Sequence, residues 1–280
     1  SRLFKTKTIL INANLHSESN RLKPIFKSAN SWIFSCFDEI YTGSERIAKN
    51  LSHLVDRSVI NISGDSRFDQ VIERKERYDG SLLPADYDET YNLIFGSIIE
   101  SDHEPIFSSL KKFYTAGMES LRNKDHRLIF VPHEVDNRSL SNLEKKISRL
   151  GFSSYRYSKH GNKSDTEVLI IDRVGILADL YYHGNFAYVG AGFGAGVHSV
   201  IEPAVHGCIV SFGPNIHILD EAIDMYEREI GFMINDGKDF LELLKSVENK
   251  NIRNEYRKKT LQYVHDHPLS SQSIIEKVFK

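Results

Sequence analysis

The most constraining feature of this sequence is the alternation of short apolar runs with amphipathic helical stretches from about Leu93 onward. The runs are continuously apolar, as expected for strands that are covered on both faces. Five runs are strand candidates: residues 93–96, 127–131, 167–171, 186–189 and 208–212. This pattern predicts an α/β fold in which helices cover both faces of a Rossmann-like parallel sheet.

One of the intervening helices can be outlined from its own residues. Ser141 and Glu144 have the spacing of a capping box at a helix N-terminus. Leu143 and Ile147 fall on one apolar stripe, and Gly151 is placed to end the helix. We therefore expect this helix to begin at Ser141.

The first 62 residues form a separate α/β segment by the same criteria. They predict a strand near residues 8–13, a helix from about Leu22 and a helix capped by Ser44. We expect this segment to be the tail of an N-terminal domain, because so few elements cannot close a sheet alone. The chain would cross near residues 59–62 into a second domain at 63–280, and the last helices could pack back across the junction. Residues 79–90 are polar and predict a loop.

Composition narrows the possible partners and compartment. The 280 residues are 40% hydrophobic and 26% charged, which is ordinary for a globular protein, and the formal net charge of -2 argues against nucleic-acid binding. Cys36 and Cys208 are far apart and follow no signal-like segment, so we expect free thiols in a reducing compartment. No run approaches the roughly 20 apolar residues of a membrane span. Because the sequence starts at Ser1 without Met, we expect the native N-terminus upstream.

The glycine-rich stretch at residues 188–207 carries the clearest chemical signal. It reads as a strand, a turn with glycines at 190, 192, 194 and 196, and then a helix. Glycines let backbone N–H groups approach an anion, and a helix N-terminus adds partial positive charge. This combination predicts a phosphate-binding turn. A tightly packed turn without a ligand is the alternative. Because the turn follows the fourth strand of the domain, the pattern differs from a dinucleotide-binding fingerprint.

Glu202 follows this turn and precedes Pro203 in the first turn of the helix. Its carboxylate could accept hydrogen bonds from both hydroxyls of a ribose while the turn holds the phosphate. Acidic residues at this position also occur simply because they complement the helix dipole.

Two further segments could line the same cleft. His133 and Glu134 follow the strand at 127–131, and ligands of open α/β sheets bind beyond the carboxyl ends of the strands. Arg67 lies in the turn at residues 64–69, where a guanidinium could bind a phosphate or carboxylate. The alternatives are a structural histidine and a surface pair between Arg67 and an aspartate.

The Asp86-Tyr87-Asp88 motif is not expected to bind a metal. Asp86 and Asp88 imitate the Asp-x-Asp of metal-dependent glycosyltransferases, but they lie in a polar segment before a strand. We therefore expect no metal site there, and the sequence shows neither zinc spacing nor a Gly-Lys-Ser/Thr phosphate loop.

Taken in order, these segments resemble the 3-deoxy-D-manno-octulosonic acid (Kdo) transferases of lipopolysaccharide biosynthesis. The matching stretches are residues 12–17, 64–69, 96–97, 132–134, 172–177, 192–203 and 212–214. They are collinear over nearly the whole chain. The resemblance implies the C-terminal half of a GT-B glycosyltransferase, in which residues 1–62 are the tail of the acceptor-binding domain and 63–280 the nucleotide-sugar domain.

The same resemblance implies an inverting, metal-independent transfer of Kdo from CMP-Kdo to a lipid A precursor at the cytoplasmic face of the inner membrane. No cofactor is implied, and the membrane contact would be peripheral and made by the full-length protein. Glu202 would bind ribose, and the turn around Glu134 would bind the nucleotide. The remaining donor-binding residues, for phosphate or the sugar carboxylate, would be Arg67, Ser97, His133, Gly192, Gly194, Gly196, His198 and Ser199.

Two departures from the family pattern matter. Ser199 stands where the family usually has Asn after His198. The family's catalytic base, a Glu in a glycine-rich turn, has no counterpart in residues 1–62. No catalytic residue is therefore expected in this chain, which by itself should be soluble and inactive.

Two other functions stay open. Another GT-B transferase, using a UDP-sugar or CMP-sialic acid, would share the glycine turn and the Glu-Pro pair. A non-catalytic nucleotide-binding module would share them too.

Overall fold

The computed structural model describes residues 6–160, 167–267 and 269–279. The chain forms two compact units. The first contains the residues up to Glu73, His217–Asp220 and the residues from His265 onward, and the second contains Arg74–Ile216 and Glu221–Val264.

The regular elements are numbered here in chain order. The strands are β1 Ile9–Ala13, β2 Glu39–Thr42, β3 Ile60–Ile62, β4 Tyr91–Ile98, β5 His126–Pro132, β6 Tyr155–Arg156, β7 Val168–Ile170, β8 Phe186–Val189, β9 Ile209–Phe212 and β10 Gly231–Met233. The α-helices are α1 Pro24–Phe34, α2 Glu45–Leu51, α3 Ser66–Arg77, α4 His103–Phe113, α5 Met118–Asn123, α6 Asn137–Ser148, α7 Tyr157–His160, α8 Leu177–Leu180, α9 Ile201–Val205, α10 Asp220–Glu227, α11 Gly237–Ser246, α12 Lys250–His265 and α13 Ser270–Val278. None of the helices in the described part of the chain has the length and apolar character to cross a membrane.

The first unit contains a three-stranded parallel sheet in the order β1-β2-β3. The predicted strand near residues 8–13 and the helix capped by Ser44 are confirmed, since the Ser44 hydroxyl accepts a hydrogen bond from the Ile47 amide at 3.2 Å. The predicted crossing segment at residues 59–62 is the third strand of this sheet. At the other end of the chain, Asp69 accepts hydrogen bonds from the first amides of α13, 3.2 Å from Ser270 N.

The second unit is built on a seven-stranded, all-parallel sheet in the order β10-β9-β8-β4-β5-β7-β6. Its central strands are buried on both faces, which explains their continuous apolar sequences. Leu93 and Phe95 of β4 pack in one hydrophobic cluster, and Ile94 packs in another on the opposite face. The predicted α/β fold and all five predicted strands are confirmed.

One local prediction was wrong. The N-cap of helix α6 is Asp136, five residues before the expected Ser141, because the Asp136 side chain accepts hydrogen bonds from the amides of Arg138 and Ser139. Ser141 therefore lies inside the helix and not at its N-cap. The polar stretch at residues 79–90 includes a 3-10 turn at Ala85–Glu89, which is anchored by the buried ring of Tyr87.

Candidate functional site

The glycine-rich turn joins β8 to the short helix α9 at the carboxyl edge of the large sheet, as predicted. Two of its glycines are required by close packing of backbone on backbone. A Cβ at Gly190 would lie 2.3 Å from the carbonyl oxygen of Ser97, and one at Gly192 would lie 2.5 Å from the amide nitrogen of Gly213. The turn is therefore packed against the ends of β4 and β9.

Gly194 and Gly196 were expected to offer their amides to an anion, but both amides are bonded within the turn. The amides of Gly194 and Gly196 both donate to the carbonyl of Ala191, at 2.9 and 3.2 Å. Helix α9 has only five residues, so its dipole is smaller than the sequence implied. The backbone of this turn is thus a tight, internally bonded frame, and donors for an anion must come largely from neighbouring side chains.

A buried carboxylate that the sequence interpretation missed holds the turn in place. Asp102, which is fully buried, accepts hydrogen bonds from the amides of Ile99 and Ala191 at 2.9 and 2.8 Å. It also accepts one from the Tyr188 hydroxyl at 3.0 Å. Asp102 therefore ties the segment after β4 to the glycine turn after β8. In the sequence, Asp102 lies two residues before the Glu104-Pro105 pair of a helix. An Asp at that position is typical of any helix start, so the sequence did not distinguish it as a site residue.

Three of the predicted residues come together beside this turn. The Ser97 hydroxyl lies 3.0 Å from Nδ1 of His133, and the rings of His133 and His198 stack with their centroids 5.0 Å apart. Ser97 has a φ of 54°, a left-handed conformation that is costly for a residue with a Cβ. Strained backbone of this kind is often found at functional sites.

The environment of His198 fits a ligand contact. Burial and the neighbouring His133 lower the pKa of His198, so its imidazole is neutral at neutral pH. Its Nε2 is buried and lacks a hydrogen-bond partner among the residues that the structure describes. Such a group is costly unless a ligand or water supplies the missing partner.

A cleft of about 570 Å³ opens beyond the carboxyl ends of β4 and β5. Pro132, His133 and Glu134 form one wall, and the segment of Ile98–Ser101 forms another. Glu134 is exposed, and its carboxylate accepts a 3.4 Å hydrogen bond from the Ser139 hydroxyl. The volume is in the usual range for a small-molecule site.

Glu202 lies in the first turn of α9, as predicted, and is half-buried. Burial raises the pKa of its carboxyl, and the nearby Arg74 partly opposes this rise. Arg74 is itself held by Asp179, with its Nε 2.6 Å from Oδ1. Among the described residues, the Glu202 carboxylate has no hydrogen-bond partner of its own, so its acceptors are available. Ser199 is half-buried just before the helix.

Arg67 belongs to the first unit, at the start of α3. Its Nε donates to Asp65 Oδ2 at 2.8 Å, which is the surface pair considered as an alternative. In the same motif, the ring of Phe68 stacks on His267 with centroids 3.9 Å apart. The contribution of Arg67 to anion binding stays a prediction.

The two aspartates of the Asp86-Tyr87-Asp88 motif have separate partners. Asp86 forms an ion pair with Arg127, and Asp88 Oδ1 lies 3.0 Å from His183 Nδ1. The guanidinium of Arg127 also lies 3.9 Å above the ring of Tyr87. This motif therefore anchors the segment before β4 to the sheet.

The chain is similar to curated proteins that are named 3-deoxy-D-manno-octulosonic acid transferases. The chain is 30% identical over 149 residues to a 3-deoxy-D-manno-octulosonic acid transferase of Aquifex aeolicus, covering 51% of this chain and 38% of that protein. It is 24% identical over 273 residues to the transferase of the same name from Rickettsia prowazekii, covering 92% and 55%. The chain thus matches about half or less of the length of these relatives. No protein-family model matches it.

A solved structure of similar fold is also found. The C-terminal CMP-Kdo binding domain of WaaA from Acinetobacter baumannii superposes with a TM-score of 0.55 at 15% identity, covering 71% of this chain and 99% of that domain. At this level of identity the likeness concerns the fold. Together with the sequence relatives, it shows that the chain is similar to the 3-deoxy-D-manno-octulosonic acid transferases and has the parallel α/β fold of GT-B glycosyltransferases.

Proposed function

We propose that this chain is the donor-binding part of a Kdo transferase and that its large-sheet unit binds CMP-Kdo. The observation that carries the proposal is the meeting of Ser97, His133 and His198 beside the glycine turn, at the carboxyl edge of the sheet. Ligands of open parallel sheets bind at this edge. The named relatives and the CMP-Kdo binding domain of similar fold support the choice of donor.

The chemistry requires stabilisation of CMP as it leaves an oxocarbenium-like sugar. Preorganised donors aimed at the developing negative charge are the usual device. Because the amides of Gly194 and Gly196 already bond to Ala191, we assign this task mainly to the side chains of Ser97, His133 and Ser199. Gly194, which is exposed, would let the phosphate approach the backbone closely, while Gly192 keeps the turn packed against Gly213.

Four other side chains would contact the donor. Glu202 would accept hydrogen bonds from the ribose hydroxyls, and Glu134 would border the nucleotide. His198 Nε2 would gain its missing hydrogen-bond partner from the donor. Arg67 would bind a phosphate or the sugar carboxylate after exchanging its partner Asp65 for the ligand.

The finer details of the proposal concern the full-length protein. Transfer would be inverting and metal-independent, with a lipid A precursor as acceptor at the cytoplasmic face of the bacterial inner membrane. The catalytic base and most of the acceptor surface would come from sequence outside these 280 residues. Membrane contact would be peripheral and would also involve that sequence.

The test is calorimetric titration of the 280-residue protein with CMP, UMP and UDP. We expect CMP to bind weakly but at least about tenfold tighter than UMP and UDP, and the protein alone to transfer no sugar from CMP-Kdo. Preference for UDP would replace the proposal with a UDP-sugar transferase. Measurable transfer to a lipid A precursor would contradict the assignment of the base to another part of the sequence. If a full-length protein binds CMP but shows no transferase activity, the unit is a non-catalytic nucleotide-binding module.

A further inference from the structure

A second cavity lies at the opposite edge of the large sheet. It has a volume of about 440 Å³, and its floor is formed where β4, β5, β8 and β9 begin. The first turns of α12 form one wall. The eight residues of β4 separate it from the donor cleft by about 23 Å, at roughly 3.3 Å per residue. The two cavities are therefore separate sites.

This amino-edge cavity is lined by an excess of positive charge. Lys250, Arg253 and Arg257 all line it, and their spacing places them on one face of α12. Among the described residues, none of these three side chains has a carboxylate partner. Lys124 also lines the cavity, but it forms an ion pair with Glu248. Lys250 and Arg257 are exposed and Arg253 is half-buried, and an anion bound between them would relieve the repulsion among the three positive charges.

The acidic residues at the cavity do not neutralise this cluster. Glu89 and Asp125 are its only acidic lining residues in the described part of the chain. Because Lys124 is paired with Glu248, three basic side chains remain beside these two acidic ones.

Tyr91 provides an independent sign of a missing ligand. Its hydroxyl oxygen is buried and has no hydrogen-bond partner within the described residues, although the side chain lines the cavity. The guanidinium of Arg253 lies 4.4 Å above its ring. Burial raises the pKa of Tyr91, so the hydroxyl keeps its proton and remains a donor. A buried hydroxyl normally has a partner, and an anion bound beside Arg253 would provide one.

We propose that the amino-edge cavity is a binding site for a phosphate group, held by Lys250, Arg253 and Arg257 and by the hydroxyl of Tyr91. Guanidinium groups match phosphate oxygens with two parallel hydrogen bonds, and a Lys adds a mobile point charge. The phosphate could belong to a soluble phosphorylated metabolite or to a lipid headgroup. The proposal is independent of the donor assignment, because no residue of the donor cleft takes part.

The first test is calorimetric titration with inorganic pyrophosphate in the presence of saturating CMP. We expect binding to persist with CMP present, and Arg253→Gln or Arg257→Gln to weaken it at least tenfold. Lys258→Gln is the matched control, since it removes the same charge from an exposed position of α12 that does not line the cavity, and it should change the affinity less than twofold. Loss of pyrophosphate binding on adding CMP, or equal effects of all three substitutions, would overturn the proposal.

A second variant guards against loss of folding as an explanation. Tyr91→Phe removes only a hydroxyl that has no partner in the described structure, so the melting temperature should stay the same or rise while pyrophosphate affinity falls severalfold. Unchanged affinity in Tyr91→Phe would remove the hydroxyl from the site and contradict the proposal as stated.

Vesicle sedimentation distinguishes the two sources of the phosphate. Phosphatidylcholine vesicles with and without phosphatidic acid are compared, using the wild type and Arg253→Gln. Binding that needs both phosphatidic acid and Arg253 identifies a lipid headgroup, and pyrophosphate binding without vesicle binding identifies a soluble ligand. If neither probe binds, the proposal is wrong.

Discussion

Glu202 has an environment that allows its roles in folding and in binding to be measured separately. Because burial raises the pKa of its carboxyl, the ionised form gains little from the fold itself. We therefore expect Glu202→Gln to leave the melting temperature nearly unchanged but to lower CMP affinity about ten- to a hundredfold. This range corresponds to roughly 1.5–3 kcal/mol for hydrogen bonds to a charged acceptor.

The control ligand for this prediction is deoxy-CMP, which lacks the 2′-hydroxyl. It should bind the wild type less tightly than CMP, and Glu202→Gln should weaken its binding by a smaller factor, because only the 3′-hydroxyl remains to contact the carboxylate. If the variant binds CMP like the wild type, the ribose assignment is wrong. A loss of stability of about 0.3–1 kcal/mol without any loss of affinity would instead indicate a carboxylate that only complements the helix dipole.

Asp102 acts on the site through other groups, as a positioning residue. Asp102→Ala would leave two buried amides and the Tyr188 hydroxyl without their acceptor, at about 1–3 kcal/mol each. We expect a loss of at least about 3 kcal/mol in the free energy of unfolding, measured in urea. Asp102→Asn keeps one acceptor oxygen and should retain most of the stability, so a similar loss in both variants would contradict this account.

At the scale of elements, the glycine turn depends on close contact between two backbone segments. Gly192→Ala would place a methyl group 2.5 Å from the amide nitrogen of Gly213, and backbone cannot move aside cheaply. We expect this variant to lose about 1–3 kcal/mol of stability, as overpacked sites do, and to lose measurable CMP binding.

Gly43→Ala is the matched control for this substitution. A Cβ added at Gly43 would lie 3.4 Å from the Cβ of Asp65, which is an ordinary van der Waals distance. The free energy of unfolding should therefore change by less than about 0.5 kcal/mol. The two variants can be compared by urea unfolding and CMP titration. Equal stability of the two would show that the turn is free to shift, which would contradict its description as a tight frame.

At the scale of the whole molecule, two buried histidines should make stability depend on pH. Burial, aided by nearby positive charge, lowers the pKa of both His126 and His206 to about 4. Nδ1 of His126 lies 2.8 Å from the Tyr114 hydroxyl, and the neutral ring can accept this hydrogen bond. The ordinary pKa of about 6.5 applies in the unfolded chain. Below pH 6.5 the unfolded chain therefore takes up protons that the folded protein excludes.

Stability is thus expected to be fully present above about pH 6.5 and to fall as the pH drops towards 4, by up to about 3 kcal/mol for each histidine. Urea unfolding at pH 7, 6 and 5 measures the slope. His126→Gln keeps a hydrogen-bond acceptor without the titration and should give a shallower slope. A wild-type stability that is flat from pH 7 to 5 would show that neither histidine is buried in neutral form.

The order of elements could be predicted because it depends on local patterns. Continuous apolar runs identified the five strands, and the glycine turn was recognised from its own residues. The boundary of α6 was predicted incorrectly because Asp136 and Ser141 are both acceptable caps by type. Only the observed path of the backbone selects Asp136.

The sequence by itself determined the α/β class, the position of the turn and the residues that could bind a nucleotide-sugar. Only the tertiary structure decided which of them meet. Strand β4 lies between β8 and β5, so Ser97 and His133 come together beside the glycine turn although they are far apart in sequence. The same strand order buries Asp102 under that turn and assembles the amino-edge cavity from four strands and α12. Strand order depends on the packing of the whole sheet, and no local pattern records it.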